Sequence, residues 1–69
     1  MKWAFVISTN DSETVFNAVR LANVALKHGD EVTAFMLGKG VEFENISTEQ
    51  FDVASQLDLF NTNGGDFYV

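Results

Sequence analysis

Two short polar segments hold the residue types that could do chemistry: Ser8-Thr9-Asn10-Asp11-Ser12 and Gly38-Lys39-Gly40. Hydroxyls, a carboxamide, glycine amides and a lysine ammonium are hydrogen-bonding groups suited to a small polar ligand. The candidate binding residues are therefore Ser8, Thr9, Asn10, Gly38, Lys39 and Gly40. Asn10, Asp11 or Ser12 serves equally well to turn the chain and cap a helix, with Glu13 at the positive end of its dipole. A phosphate-binding reading fails on spacing. A dinucleotide fingerprint needs a third glycine where Phe43 stands, and Gly-Lys-Ser/Thr is absent,. Asp11 and Glu13 would also repel a phosphate from the helix start.

The remaining polar residues exclude more than they offer. There is no cysteine, which removes disulfides, thiolate metal sites, cysteine nucleophiles and persulfide carriage together,. His28 is the one histidine. In the last turn of a helix it has the plain role of facing the carbonyl end of the dipole. Glu42, Glu44, Glu49, Asp52 and Asp58 are scattered as on a solvated face, with no Ser/His/Asp or metal-ligand spacing. Neither a catalytic residue nor a cofactor nor a metal is implied. Ten acidic residues against four basic ones give a net charge of −6. That balance opposes nonspecific nucleic-acid binding, which relies on Lys and Arg neutralising phosphates. No apolar run approaches the roughly 18 residues that span a bilayer. The opening residues are too short for a secretory signal, so the expected compartment is the cytoplasm.

Both polar segments follow stretches that read as strands. Lys2 to Ser8 is an apolar run on both faces, as in a buried strand of a parallel sheet. From Asp11 to about His28, Val15, Val19, Ala22 and Leu26 recur at helical spacing, and Gly29 is placed to take a left-handed cap,. Glu31 to Leu37 is the second strand, broken by Gly38-Lys39-Gly40. Val41 to Ile46 is a connection whose Val41, Phe43 and Ile46 tuck against the domain. Ser47-Thr48-Glu49-Gln50 resembles a capping box and opens a second helix running to about Asn61. Gly64-Gly65 ends it, and Asp66 to Val69 starts a third strand. Strands alternating with helices imply one α/β domain over residues 1–69, β-α-β-α-β, with a parallel sheet. The expected strand order is 2-1-3, with the first strand central and one helix on each face.

At 69 residues the core is modest, and small domains usually need added support,. Seven phenylalanines, a tryptophan and a tyrosine are many for two helices to bury. Phe16 and Val24 fall away from the apolar stripe of the first helix, and Leu59 from that of the second. With Phe67 and Val69 on the third strand, they form a candidate interface, and a homo-oligomer is expected.

Several segments, in order, resemble DsrE/DsrF-like proteins. They are Phe5 to Asp11 followed by Glu13-Thr14, Ala22 to Val32, Phe35 to Glu42, Phe51-Asp52-Val53 and Gly64 to Val69. The resemblance covers essentially the whole sequence. It implies a three-layer, flavodoxin-like α/β fold, a homo-oligomer, and intracellular sulfur relay in company with other relay proteins. In that family a cysteine after the third strand carries a persulfide. The resemblance places it just beyond Val69, so the chain reads as a truncated family domain from which no catalytic residue carries over.

Overall fold

A computed structural model of the chain describes residues 1–69, the side chains of Phe43 and Glu44 excepted. The elements are β1 (Lys2–Ile7), α1 (Ser12–Lys27), β2 (Glu31–Met36), a 3₁₀ segment (Gly38–Asn45), α2 (Val53–Thr62) and β3 (Asp66–Tyr68). The α/β class, the parallel sheet and the two helices agree with the sequence reading.

The strand order does not. It is β1-β2-β3, with β2 central and parallel to both neighbours, instead of the expected 2-1-3. Right-handed crossovers that both step in one direction put both helices on the same face. Burial in β2 agrees: Val32, Ala34 and Met36 are buried, whereas Glu31 and Phe35 are exposed. The domain therefore has two layers, and the expected helix on each face is corrected. β1 is an edge strand whose Lys2, Ala4 and Val6 are exposed, because no second helix layer covers them.

Each helix begins at a carboxylate. Asp11 caps α1, accepting from the Thr14 amide at 3.0 Å and the Thr14 hydroxyl at 2.7 Å,. His28 closes that helix, and Gly29 follows with φ +85°, the left-handed cap expected of it,. The start of α2 differs from expectation. Ser47-Thr48-Glu49-Gln50 forms no capping box; Asp52 is the cap, accepting from Ser55 N and its hydroxyl. Thr48 and Phe51 instead close a turn on each other, and the Phe51 ring packs on Phe16 at 5.7 Å. Ser47 still contributes, since its hydroxyl accepts from Ala54 N at 2.8 Å. The connection predicted over Val41–Ile46 is largely 3₁₀ helix. Ile46 packs against the core as expected, Val41 is exposed, and the Phe43 side chain lies outside the described residues.

Val15, Val19, Ala22 and Ala25 of α1 meet Ile7, Val32, Ala34 and Met36 of the sheet, together with Val53, Leu57 and Phe60 of α2. One polar residue enters this core. Asn23 is buried between the helices and donates through Nδ2 to the Gln56 carbonyl and to Gln56 Oε1, both at 3.0 Å. Its own Oδ1 has no partner. A carboxylate in that place would face two oxygens without solvent. Asn23→Asp is expected to destabilise the domain by about 3 kcal/mol at neutral pH. Burial raises the folded-state pKa of this new carboxyl above its unfolded value. The loss is therefore greatest at high pH and shrinks as pH falls through the folded pKa. Asn23→Leu removes the orphaned oxygen but also both donors to Gln56, so it should cost about 1–2 kcal/mol with no dependence on pH,. Thermal denaturation of both variants across pH checks this.

Candidate functional site

The loop after β1 and the glycine pair after β2 lie side by side at the carboxyl end of the sheet. Leu37 N donates to the Ile7 carbonyl at 2.9 Å, extending the ladder past both strands. Gly40 then passes so close to β1 that a Cβ there would sit 2.0 Å from the Ile7 oxygen, so only glycine fits. Asn10 Nδ2 reaches Glu42 Oε1 at 3.3 Å and ties the two loops together. All six candidate binding residues are thus brought into one neighbourhood.

What they offer a ligand is limited by what they already hold. The Thr9 hydroxyl accepts from Asp11 N at 3.1 Å, a local turn contact. Gly40 N donates to the Leu37 carbonyl at 2.8 Å. The exposed Ser8 and Lys39 keep their side-chain donors for solvent or a ligand. Asp11 stays ionised beside them: the Thr14 hydroxyl, then the Thr14 amide, hold its carboxyl below the usual aspartate range. The loop pair therefore has hydroxyl and ammonium donors beside a carboxylate, with no nucleophile and base in partnership. Among the described residues no cluster of His, Cys, Asp and Glu could hold a metal ion.

A second polar place lies at the opposite end of the sheet and escaped the sequence reading. A cleft of about 510 Å³ opens there between Trp3, Leu26, Asp30, Asn63 and Asp66. Asp30 accepts from the Trp3 indole N–H at 2.9 Å and from the terminal ammonium of Met1 at 3.1 Å. The indole bond, followed by the ammonium, lowers the Asp30 pKa. Nothing in the sequence signals this pairing, because Trp3 meets Asp30 only through the β1–β2 register.

Of the five expected interface residues, Val24, Leu59 and Val69 are exposed, while Phe16 and Phe67 are partly buried against the core. A different exposed set was missed: Val6, Phe35 and Tyr68 form one row across the uncovered face of the sheet, by the pairings Val6 with Phe35 and Phe35 with Tyr68. The alternation of Glu31, Thr33 and Phe35 with Val32, Ala34 and Met36 is the signal that could have found it.

Fold and site together define a small two-layer parallel α/β domain with a polar loop pair and an open sheet face. Compared with protein-family models, with curated proteins and with solved structures, the chain matches none. Among the described residues no helix is long and apolar enough to cross a membrane.

Three carboxylates, exposed at Asp11 and Asp52 and half-buried at Asp30, share one acid response. Asp11, Asp30 and Asp52 all have folded-state pKa values below the ordinary one, Asp52 through the Ser55 hydroxyl and then the Ser55 amide. A depressed folded pKa contributes stability that is present above the unfolded value and lost as pH falls through the folded one. The thermal midpoint should therefore drop below about pH 4, measured by circular dichroism. The double variant Asp11→Asn, Asp52→Asn should flatten that decline.

Proposed function

We propose that this chain is a non-catalytic assembly domain of DsrE-like type, which acts by presenting surfaces rather than by carrying sulfur. The observation behind this reading is an all-parallel sheet with one bare face, since such sheets otherwise have both faces covered,. A homo-oligomer supplies the missing cover. The ordered resemblance of the segments from Phe5 to Val69 supports the family character, and sulfur-relay proteins are the corresponding partners. Relay itself has nothing in this chain to run on. Persulfide transfer depends on a thiolate, and the sequence contains no cysteine,. The strand order β1-β2-β3 departs from the 2-1-3 order expected with the resemblance, so support for the family rests on the sequence segments and not on the sheet.

A second reading, a small-molecule or nucleotide-binding module, draws on the loop pair. It is favoured by the Asn10–Glu42 tie and by the free donors of Ser8 and Lys39. Saturable thermal stabilisation by a nucleotide, flavin or anion, lost in Ser8→Ala and Lys39→Ala, would support it.

The assembly reading is tested by sedimentation velocity across the micromolar range. Reversible, concentration-dependent association is expected, strengthening with salt because each copy carries a net charge of −6,. A compact monomer at every concentration would overturn it.

A further inference from the structure

The uncovered face of the sheet is divided along the strands. Its amino end carries the charges: Lys2 and Glu31 pair at 3.7 Å, and Asp66 stands beside Thr33. Its carboxyl end carries none. There Val6 is 63% exposed, Phe35 38% and Tyr68 54%, with Leu37 one step further on at 51%. The rings of Phe35 and Tyr68 stack with centroids 5.5 Å apart, which fixes the middle and one side of the row,. No described side chain of the same molecule covers this row, because α1 and α2 both lie on the other face.

We infer that the occupant of this face is a second copy of the chain, packed sheet to sheet about a two-fold axis that runs along the Val6–Phe35–Tyr68 row. The inference rests on the assembly reading above and specifies its geometry. An axis in that position runs across the strands, so the two sheets are antiparallel and stacked about 10 Å apart. Each member of the row then meets its own counterpart, and Leu37 lies over Thr33 of the partner subunit. The Lys2–Glu31 pairs project in opposite directions and keep their water, while Asp66, level with Thr33 on the edge strand β3, stands at the margin of the contact. No charge lies on the axis. That self-complementarity is what an isologous interface requires, and closed two-fold pairs are the commonest oligomers.

The alternative occupant is a helix. The exposed stripe of α1 carries Leu21 and Val24, flanked by Arg20 and Lys27. Seated on the sheet of another copy, it would bring two apolar side chains to the three of the row and Leu37 beyond it. It would also leave the donor's own sheet bare, and a head-to-tail contact of this kind propagates unless it closes. The symmetric pair leaves no bare sheet. Its area is small: the row and its surroundings offer on the order of 500 Å² per copy, so the pair removes about 1,000 Å² in total, at the lower bound for a specific interface. The expected dimer is weak and reversible.

Sedimentation equilibrium on the full chain and on three variants tests this, with far-UV circular dichroism confirming that each variant folds. The parent should fit a monomer–dimer equilibrium and form no larger species. Phe35→Glu places two carboxylates against each other on the axis and should weaken the dimer by more than about tenfold. Tyr68→Lys, at the flank of the row, should weaken it as well, keeping the test sound if Phe35→Glu unfolds. The double variant Leu21→Glu, Val24→Glu should leave the dissociation constant within about twofold of the parent. A dimer insensitive to both sheet variants would overturn the sheet-to-sheet geometry while leaving the assembly reading intact. So would one broken by the helix variant, which assigns the face to α1. A parent monomeric throughout would remove both.

Discussion

Two crossovers of the same hand, both stepping in one direction across the sheet, place α1 and α2 side by side over a single face,. This one constraint decides where the core lies and where it does not. Buried apolar residues are drawn from alternate positions of β2, from α1 and from α2, and converge between sheet and helices. Had the third strand paired with β1 instead, one helix would have crossed to the other side. The aromatic row would then have had a lid within its own chain.

The chain's polar groups follow from the same layout. At the carboxyl end, the first two strands run on into loops that approach so closely that Gly40 admits no side chain. Of the donors gathered there, the Asn10 amide ties the two loops and the Gly40 amide closes its own turn, while the Ser8 and Lys39 side chains stay open to solvent. At the amino end, the register brings Trp3 and Asp30 into contact across the edge strand. The helical interface carries its own polar tie in Asn23 and Gln56, which fixes how α1 and α2 align at the cost of one orphaned oxygen,. These are positioning interactions, and none of them pairs a nucleophile with a base.

Local elements were legible in the sequence because local rules make them. The spacing of Val15, Val19 and Ala22, a cap among Asn10, Asp11 and Ser12 and the left-handed Gly29 specify α1 from neighbouring residues alone, and the structure takes Asp11 as the cap. Parallel pairing followed from alternation of strand and helix. Strand order did not, because Trp3-Ala4-Phe5-Val6 and Val32-Thr33-Ala34-Phe35 are similarly apolar, and neither run marks itself as central. The start of α2 was misplaced for a related reason. Ser47 and Asp52 both head plausible helices, and the Phe51 ring on Phe16, a contact 35 positions distant along the chain, helps decide between them. The clustering of Ser8, Thr9, Asn10 and the glycine loop was readable from topology alone, whereas the bonds of Thr9 to Asp11 and of Asn10 to Glu42 needed geometry.

Trp3 is the sole tryptophan, on an edge strand, with its indole bonded to a carboxylate just ahead of β2 and its ring beside Phe5 at 6.1 Å. The molecule thus carries a native fluorophore at the seam between its first two strands. Separation of that seam exchanges a charged acceptor and an aromatic neighbour for bulk solvent, and the indole emission spectrum registers the change. Loosening of the far margin at β3 moves Asp66 in the cleft that Trp3 also lines, but it leaves the Asp30 acceptor and the Phe5 ring in place. Emission from this one ring therefore distinguishes opening of one border of the sheet from fraying of the other, without any label being attached.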